Sequence, residues 1–568
     1  MLLLTMLLGC CECFTPLVDR SKTARPQSRS FRFAGPTPLY QTTKAADDMS
    51  SSCDVAIFGG GFGGLYTALE LSQRDPQLDI ALIEPNDQFV FLPLLYDLSM
   101  GYATDAEVCP LYRDILLGYP NIRHVKASLH SMTHYQQACL SCNHGESTSY
   151  NLNFKAAVIS VGASPQSLLE TVPGADDFCQ PFYTAKDARR TKRLIEQLER
   201  QYDGTTLQIA VVGGGYGGVE LASCVARKFG SKAKVTLVNR SDAPPMAGTR
   251  AESVVTKALQ ELNIQVQSGT SVKKIERLED QAVKYRDQYR MFFSSSDDND
   301  SDDAVFDAIF WTAGSAPAPP VSSMDNKEQE DPLPLLQRTE SGRLCIDENL
   351  QCQWKVNDYN DNSNIFACGD CAEIPNMTPA VPKTAQAAMQ QSSVVAHNVA
   401  ASRKSKPLKT FQFQDLGSML TLGGASGAIM APQDGSLSSL LESALSVTST
   451  VLQEADSILT NTNNPVAKQL RLKPENLQKL GLTLGGYATS NNKGTLSGAV
   501  SGAARRAVYA ARMPTNSQRG IALASSVLST AVRVAQDVTE ELNAPASNKG
   551  DNDGDGTLST TKIANDDP

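Results

Sequence analysis

Two stretches of the chain repeat one order of apolar and small residues. Each starts with a continuous apolar run, passes through a glycine-rich turn and enters a helical pattern; they read "DVAIFGGGFGGLYTALEL" from Asp54 and "LQIAVVGGGYGGVELASCVARKF" from Leu207. A short continuous apolar run beside a turn is typical of a parallel strand covered on both faces. The repeat therefore predicts an α/β fold built on two strand–turn–helix units.

The first unit has the glycine spacing of a nucleotide-binding turn. Gly59, Gly61 and Gly64 form a GxGxxG sequence between the strand and the helix. Such glycines permit a tight turn and bring a pyrophosphate close to the helix N-terminus. A second apolar run, "IALIE", ends at Glu84, where a carboxylate can accept hydrogen bonds from ribose hydroxyls. We expect a dinucleotide to bind here.

The second unit repeats the glycines as Gly213, Gly215 and Gly218, but its second strand, "KVTLVNRS", ends differently. Asn239 and Arg240 stand where the first unit has its acidic residue. A carboxylate there repels a ribose 2′-phosphate, whereas an amide and a guanidinium tolerate or bind it. We expect NADPH to be accepted as well as NADH. The alternative is that Arg240 is a solvated surface residue.

Three later strands also end in glycine turns. "AAVISVGASP" and "DAIFWTAGSAP" end at Gly162 and Gly314, where the chain can cross between two nucleotide domains. "NIFACGDCAEIP" continues into Gly369 and Asp370, and an Asp at such a turn can hold the ribityl and pyrophosphate part of a flavin. Two Rossmann-type units in one chain suggest that hydride passes between two bound nucleotides.

These motifs resemble the glutathione-reductase-like flavoproteins and, more closely, the type II, non-pumping NAD(P)H–quinone oxidoreductases. The resemblance covers about 53–433 and includes "FLPLLYDL", "GGGYGGVELA", "WTAG", "ACGD" and "KTAQAAMQQ". It implies FAD in the first unit, NAD(P)H in the second and a membrane quinone as acceptor. It divides this part into an FAD domain at 53–165 and 345–433, with an NAD(P)H domain at 166–344. Where the family usually has Ala-Thr-Gly, this chain has Ser-Val-Gly at 160–162.

The segment "VPKTAQAAMQQ" reads as a short helix of small and amide residues. Gln386 and Gln390 lie four apart and share one helical face, where they can offer hydrogen bonds to quinone oxygens. The helix N-terminus and Lys383 can stabilise negative charge on a reduced flavin. By the resemblance, Glu220 lies near the flavin and the quinone, so we name it as a proton relay. The alternative for each is a solvated or structural side chain.

The cysteines offer three other interpretations. Cys139 and Cys142, with histidines nearby, suggest zinc, but an alternating hairpin sends residues three apart to opposite faces, and we predict no metal. Cys368 and Cys371 resemble a dithiol motif, although their turn is already needed by the flavin. Cys179 and Cys371 could serve as the two cysteines that a sulfide–quinone oxidoreductase needs near its flavin, so this function stays an alternative. A non-catalytic flavin-fold protein that coats lipid droplets is a further alternative.

The two ends of the chain have other compositions. Residues 1–52 join a short apolar run to a basic, Ser-rich segment, which resembles the bipartite leader of a protein sent to a plastid of secondary origin; a mitochondrial presequence is the alternative. The loop 294–303 and the tail 544–568 are acidic and are expected to be disordered. A net charge of −10 argues against a nucleic-acid partner.

The region 434–543 shows two amphipathic patterns. The first has an apolar stripe with a Ser- and Thr-rich polar face, formed by Leu437, Leu440, Leu441, Ala444, Leu445, Val451, Leu452, Ala455, Ile458 and Leu459. The second runs from Ile521 to Val538 and follows a basic segment with Arg505, Arg506 and Arg512. The C-terminal sequence also resembles the plant and algal C-type branch of the family, associated with plastids and plastoglobules and with plastoquinone and phylloquinone. We expect a helical region on a lipid surface; the alternative is burial against the core or a dimer partner.

Overall fold

The computed structural model describes most of the chain between residues 52 and 430 and a short C-terminal part. The described stretches are 52–134, 136–142, 148–165, 172–278, 287–294, 303–320, 331–355, 364–423, 426–430, 495–515, 518–519 and 522. The predicted leader up to residue 51, most of the acidic loop, the first amphipathic stripe, nearly all of the second and the acidic tail lie outside these stretches.

The strands of the described residues follow one another in this order: β1 Ser52–Phe58, β2 Ile80–Ile83, β3 Ile122–Val125, β4 Ser128–His134, β5 Gln137–Cys142, β6 Thr148–Ile159, β7 Ala163–Pro165, β8 Gln180–Pro181, β9 Leu207–Val212, β10 Ala233–Val238, β11 Gln265–Gln267, β12 Ser271–Arg277, β13 Tyr289–Ser294, β14 Asp303–Phe306, β15 Ala308–Trp311, β16 Ser315–Pro317, β17 Leu344–Cys345, β18 Ile365–Ala367, β19 Ala372–Glu373, β20 Ser418–Thr421, β21 Gly427–Met430 and β22 Thr495–Gly498.

The α-helices of the described residues are α1 Phe62–Arg74, α2 Leu95–Ser99, α3 Asp105–Val108, α4 Tyr112–Ile115, α5 Ala175–Phe178, α6 Ala185–Arg200, α7 Tyr216–Phe229, α8 Glu252–Glu261, α9 Ala385–Ser402 and α10 Ala499–Ala511. Short 3₁₀ turns lie at Leu92–Leu94, Leu116–Gly118 and Gly230–Lys232.

The first sheet runs in the order β3–β2–β1–β6–β5–β4, and β18 lies beside β6. β1 pairs in parallel with both β2 and β6, so the sheet edge at the carboxyl ends of these strands carries the first glycine turn. Val55 to Phe58 are buried on both faces, as expected for a parallel strand between helices. On one face, α1 packs against α9.

The second sheet repeats this arrangement in the order β11–β10–β9–β15–β8, all parallel. The glycine turn after β9 leads into α7, which packs on this sheet. An antiparallel pair of β7 and β16 follows the strands that end near Gly162 and Gly314. The α/β fold with two Rossmann-type units, predicted from the repeated pattern, is confirmed.

The described C-terminal part packs onto the rest of the fold. β22 extends an antiparallel sheet with β20 and β21, and α10 packs against it. Arg505 and Arg506 of α10 are 1% and 3% exposed and form ion pairs with Asp97 and Glu107; the lipid-surface expectation for the two amphipathic patterns stays a prediction. Buried guanidinium groups are stable only when paired. No helix within the described stretches is long and apolar enough to cross a membrane.

Candidate active site

The first glycine turn combines a tight interior with an open outer face. Gly59 has φ = +99°, a conformation that favours glycine. A Cβ on Gly64 would lie 1.8 Å from the Gly59 carbonyl oxygen, whereas one on Gly61 would meet nothing within 4 Å. No side chain caps the N-terminus of α1 at Gly61. The turn therefore leaves room and free helix-end N–H groups for a pyrophosphate.

Glu84 lies at this turn, directly after β2. Its Oε2 accepts a hydrogen bond from the Gly60 N–H at 2.9 Å, and its Oε1 accepts one from the Asn86 N–H at 3.0 Å. The Tyr112 hydroxyl, which the sequence did not single out, donates to the Gly60 carbonyl at 2.7 Å. Carboxylate oxygens have further lone pairs, so Glu84 remains able to accept from a ribose.

The second turn has the same construction. Gly213 has φ = +123°, a Cβ on Gly218 would lie 1.7 Å from the Gly213 carbonyl oxygen, and Gly215 faces open space. No side chain caps the N-terminus of α7 at Gly215. We call these two turns the first and the second cradle; their shared geometry fits a dinucleotide pyrophosphate, and its binding by these glycines stays a prediction.

Asn239 occupies the place that a carboxylate has in the first unit. A Cβ on Gly214 would lie 2.4 Å from Asn239 Oδ1, as one on Gly60 would approach Glu84 Cγ at 2.9 Å. The Asn239 amide donates to the carbonyl oxygens of Ser241 at 3.0 Å and Ala243 at 2.8 Å. These bonds hold the loop that carries Arg240, which is exposed. This exposure is compatible with either interpretation of Arg240, as a solvated surface residue or as a ligand of the ribose 2′-phosphate.

The remaining turn glycines adopt left-handed conformations. Gly162, Gly314 and Gly369 have φ of +72°, +84° and +78°. Ser160, the departure from the family pattern, donates from Oγ towards the Phe58 carbonyl at 3.0 Å. The Ser160 backbone N–H donates to the same carbonyl at 2.8 Å, so the hydroxyl adds a second hydrogen bond between the ends of β6 and β1 that an Ala would lack.

A narrow cleft, with no room for a water molecule, lies between the Gly369 turn and the start of α9. Asp370 lines it, and burial raises the pKa of its carboxyl against the opposing effect of Lys383 and Arg343. Lys383 Nζ donates to the Ala372 carbonyl at 2.7 Å. Burial and the nearby Arg343 lower the pKa of this ammonium. Lys383 therefore lies at the Gly369 turn, at the edge of the cleft.

Helix α9 begins where the sequence predicts. The Thr384 hydroxyl accepts from the Ala387 N–H at 3.2 Å and caps the helix. Gln391, which was not singled out, is 4% exposed. Its Oε1 accepts from the Gly369 N–H at 2.7 Å. This bond joins the helix to the Gly369 turn, and only the folded structure places the two together.

Gln386 and Gln390 share one face of α9, but both amides bind main chain. Gln390 exchanges two hydrogen bonds with the backbone of Gln414, at 2.8 and 2.9 Å. Gln386 donates to the Gly417 carbonyl at 3.2 Å and accepts from the Leu416 N–H at 3.4 Å. They are not simply a solvated face. A quinone oxygen would have to replace one of these bonds, so quinone binding by these amides stays a prediction.

Glu220 lies at the first turns of α7 and is 9% exposed. Its Oε1 accepts from the Thr421 N–H at 2.9 Å, and the nearby Tyr96 hydroxyl lowers the pKa of this carboxyl. Burial raises the pKa of Glu220 to about 7, and the Thr421 and Arg505 groups oppose this rise. A carboxyl with this pKa can both release and take up a proton near neutral pH.

Comparison with known proteins decides the family. Residues 53–392 match the family described as pyridine nucleotide-disulphide oxidoreductase. The chain belongs to this family. The alternative NAD(P)H-ubiquinone oxidoreductase C1, chloroplastic/mitochondrial, of Arabidopsis thaliana is 30% identical over 405 residues, covering 66% of this chain and 72% of that protein. The demethylphylloquinone reductase NdbB of Synechocystis sp. is 30% identical over 383 residues, covering 66% and 86%. The resemblance to type II NAD(P)H–quinone oxidoreductases is confirmed.

Solved structures support the fold of this pyridine nucleotide-disulphide oxidoreductase. NDH2 from Plasmodium falciparum in complex with NADH has a TM-score of 0.53 at 17% identity, over 67% of this chain and 90% of that chain. The sulfide:quinone oxidoreductase from Aquifex aeolicus has a TM-score of 0.52 at 17% identity, over 67% and 83%. At this identity, the likeness concerns the fold alone.

The cysteines of this family member are free thiols in the described residues. Cys368 and Cys371 are fully buried, and burial raises the pKa of Cys371 to about 11. Cys179 belongs to a different hydrophobic cluster, around the second sheet, whereas Cys371 belongs to the main core. The pairing of Cys179 with Cys371 that a sulfide–quinone oxidoreductase needs is therefore not formed. Within the described stretches, no group of three or more His, Cys, Asp or Glu is arranged to hold a metal.

Proposed function

We propose that the chain is an FAD-dependent NAD(P)H–quinone oxidoreductase, which passes hydride from NAD(P)H to FAD and electrons to a membrane quinone without pumping protons. The observation that carries this proposal is the pair of glycine turns with one geometry, each tight inside and open at Gly61 or Gly215. The names of the two relatives above support NAD(P)H as the electron donor and a quinone as the acceptor. Bound FAD supplies the two-electron chemistry that links them.

The first cradle holds FAD through groups of the first sheet and α9. The helix end at Gly61 meets the pyrophosphate, and Glu84 accepts from the ribose. Asp370 follows the Gly369 turn, where it accepts hydrogen bonds from the ribityl chain. Lys383 and the N-terminus of α9 face the ring and stabilise negative charge there. Gly162 lies at the same edge of the sheet and has no side chain that would occupy the place of the cofactor.

The second cradle holds NADPH or NADH. The helix end at Gly215 meets its pyrophosphate, and Gly314 lies at the end of the neighbouring strand. Asn239 adds no negative charge beside the adenosine ribose, and Arg240 pairs with a 2′-phosphate. Hydride transfer requires the nicotinamide to stack on the flavin, so positioning of the two rings is the main requirement.

Quinone reduction consumes protons, and Glu220 supplies one. Gln386 and Gln390 orient the quinone oxygens, exchanging a bond with the 414–417 backbone for one with the substrate. We propose plastoquinone or a naphthoquinone as the acceptor, since one relative is named a demethylphylloquinone reductase. We further propose a plastid location at a peripheral membrane or plastoglobule surface, with a mitochondrial location as the alternative, and leave a homodimer open.

A spectral experiment tests the enzyme. Purified holoprotein is mixed with NADPH without oxygen, and then with a short-chain quinone. The flavin absorbance is expected to bleach with NADPH and to return with quinone. If either step fails, the enzyme hypothesis is rejected, and a non-catalytic flavin-fold protein remains as the alternative. Sulfide in place of NADPH tests the second candidate: bleaching by sulfide that is lost in Cys371→Ser would favour it.

A flotation assay tests the lipid surface separately. The full chain is mixed with vesicles of plastid galactolipid composition, and the fraction that floats is compared with that of a Leu440→Asp, Leu441→Asp variant. A charge on each apolar position is expected to reduce the floating fraction at least about fivefold, because a buried charge costs several times RT in lipid. Equal flotation of both proteins would contradict the lipid-binding role of this stripe.

A further inference from the structure

Helix α6 carries an excess of positive charge on an acidic chain. Its 16 residues include six basic and three acidic side chains, whereas the whole chain has a net charge of −10. One side of the helix, with Ala188, Ile195 and Leu198, is buried. The basic side chains lie on the other sides, so the amphipathic pattern of α6 sets a positive surface against an apolar one.

Three of these basic side chains form one exposed face. Lys186, Arg190 and Arg193 are all exposed. They lie four and three residues apart, so they share one side of the helix over a length of about 10 Å. None of the three forms an ion pair or a hydrogen bond with another residue of the described stretches. We call these three residues the basic face of α6.

The neighbouring basic residues of α6 have structural contacts that the basic face lacks. Arg189 pairs with Asp105 at 2.6 Å and donates to the Gln88 side chain at 3.0 Å. Lys192 lies over Gly101, where an added Cβ would be 3.7 Å from Lys192 Cε. These two side chains therefore join the helix to the segment around α2 and α3. The basic face serves no such contact.

The position of the basic face is unfavourable for the helix itself. Lys186 and Arg190 are like charges four residues apart, and Arg190 and Arg193 are like charges three apart, spacings at which side chains of equal sign repel. Positive charge in the first turns of a helix is also opposed by the helix dipole. An anionic partner would offset both effects, whereas solvent offsets them only in part.

The surroundings of α6 favour a lipid surface as that partner. α6 packs against α2. The 3₁₀ turn directly before α2 contains Leu92, which is 47% exposed. Basic side chains near an exposed apolar one are typical of a surface that meets anionic headgroups at a bilayer interface. A nucleic acid is a poor alternative, because the net charge of −10 would repel it.

We propose that the basic face of α6 binds the anionic headgroups of a lipid bilayer. This inference rests on the proposed peripheral membrane location and specifies its chemistry: the flavoprotein core itself contacts the membrane, and the lipid must carry negative charge. The contact is separate from the apolar stripe between Leu437 and Leu459, which would insert into lipid of either charge. A row of three cations along a helix matches a plane of negative headgroups better than a single buried anion site.

Flotation of the full-length holoprotein tests the proposal. The vesicles consist of neutral galactolipid, with or without phosphatidylglycerol, and the variant carries Lys186→Gln, Arg190→Gln and Arg193→Gln together. Each charge lost is expected to weaken binding to the anionic vesicles about fivefold, so the triple variant is expected to bind about 100-fold more weakly. Binding to the neutral vesicles is expected to change less than about twofold. Added salt is expected to weaken binding of the wild type more than that of the variant.

A second triple variant is the matched control. Lys257→Gln, Lys273→Gln and Lys274→Gln remove the same charge from exposed positions on α8 and β12, and this protein is expected to bind anionic vesicles within about threefold of the wild type. Both variants change only exposed side chains, so both are expected to fold. Flavin bleaching by NADPH and recovery with a short-chain quinone in solution are expected to match the wild type.

Two results would overturn the proposal: anionic vesicles bound equally by the wild type and the α6 variant, or an equal loss in both triple variants, which would mean that total charge matters and not this face. Retention on immobilised polyglutamate without binding to anionic vesicles would assign the face to an acidic protein and also overturn it. The peripheral location fails with it if the wild type binds neither kind of vesicle. The proposed enzyme activity fails separately, in the spectral experiment, which contains no lipid.

Discussion

Replacement of Glu220 by Gln is expected to change how the stability of the folded chain depends on pH. Gln has the shape of a protonated Glu, and its Oε1 can still accept from the Thr421 N–H, 2.9 Å from the present carboxylate oxygen. The pKa of Glu220 is about 7 in the folded chain against an ordinary value of 4.5. Because folding raises this pKa, the folded state binds more protons between these two values, and stability falls as pH rises through that window.

The magnitude follows from the two pKa values. A difference of about 2.5 pH units corresponds to about 3 kcal/mol at about 1.36 kcal/mol per unit. Below about pH 4.5 both forms of the wild type are protonated, and the two proteins are expected to be similarly stable. Above about pH 7.5 the variant is expected to be more stable by up to about 3 kcal/mol, because the wild type must bury a carboxylate.

The measurement is the free energy of unfolding by urea from pH 5 to 8.5, followed by the fluorescence of Trp311 and Trp354. The difference between the two proteins isolates Glu220 from every other titrating group. Parallel curves for the two proteins across this range would refute the reasoning, since they would mean that Glu220 has an ordinary pKa when folded. The matched control is Asp114→Asn, whose curve is expected to follow that of the wild type.

Four other substitutions have defined outcomes. Gly61→Ala is expected to fold with wild-type stability but to retain at most a tenth of its flavin, measured by absorbance, because the new methyl group enters the open phosphate position; Gly64→Ala is expected not to fold, since its Cβ would lie 1.8 Å from a carbonyl oxygen. Arg240→Glu is expected to raise KM for NADPH about tenfold or more and to leave KM for NADH within about twofold, and equal changes would show that the residue is only a surface group. Gln391→Leu, which leaves the Gly369 N–H without its 2.7 Å partner, is expected to cost about 1–3 kcal/mol in urea unfolding and to loosen flavin binding.

The nucleotide cradles follow from the sequence because their contacts are local. Each turn joins a strand to the helix that comes next, and the glycines that it needs lie within six residues. Glu84 and Asn239 were found in the same way, since each ends the strand that follows that helix. The start of α9 was predictable for a similar reason: Thr384 caps it through a hydrogen bond to a residue three positions later.

The roles of Gln386, Gln390 and Gln391 were decided by tertiary structure. Sequence periodicity places the first two on one face of a helix, but it does not show what covers that face. The 414–417 backbone covers it, and Gln391, one position along, points inward and binds the Gly369 N–H instead. An amide is equally suited to solvent, substrate and main chain, so only the fold distinguishes these.

Helix α10 shows most clearly the difference between what the sequence predicts and what the tertiary structure decides. The apolar and basic pattern around Arg505 and Arg506 predicts a helix, and a helix forms. Charge in a sequence indicates a surface because burial of an unpaired guanidinium is costly. Here the partner of Arg505 is Asp97, 408 residues earlier in the chain, and no local pattern links them. The sequence pattern alone thus determined two nucleotide-binding units, whereas the folded chain decided which charges are buried, because burial depends on partners that only tertiary packing brings together.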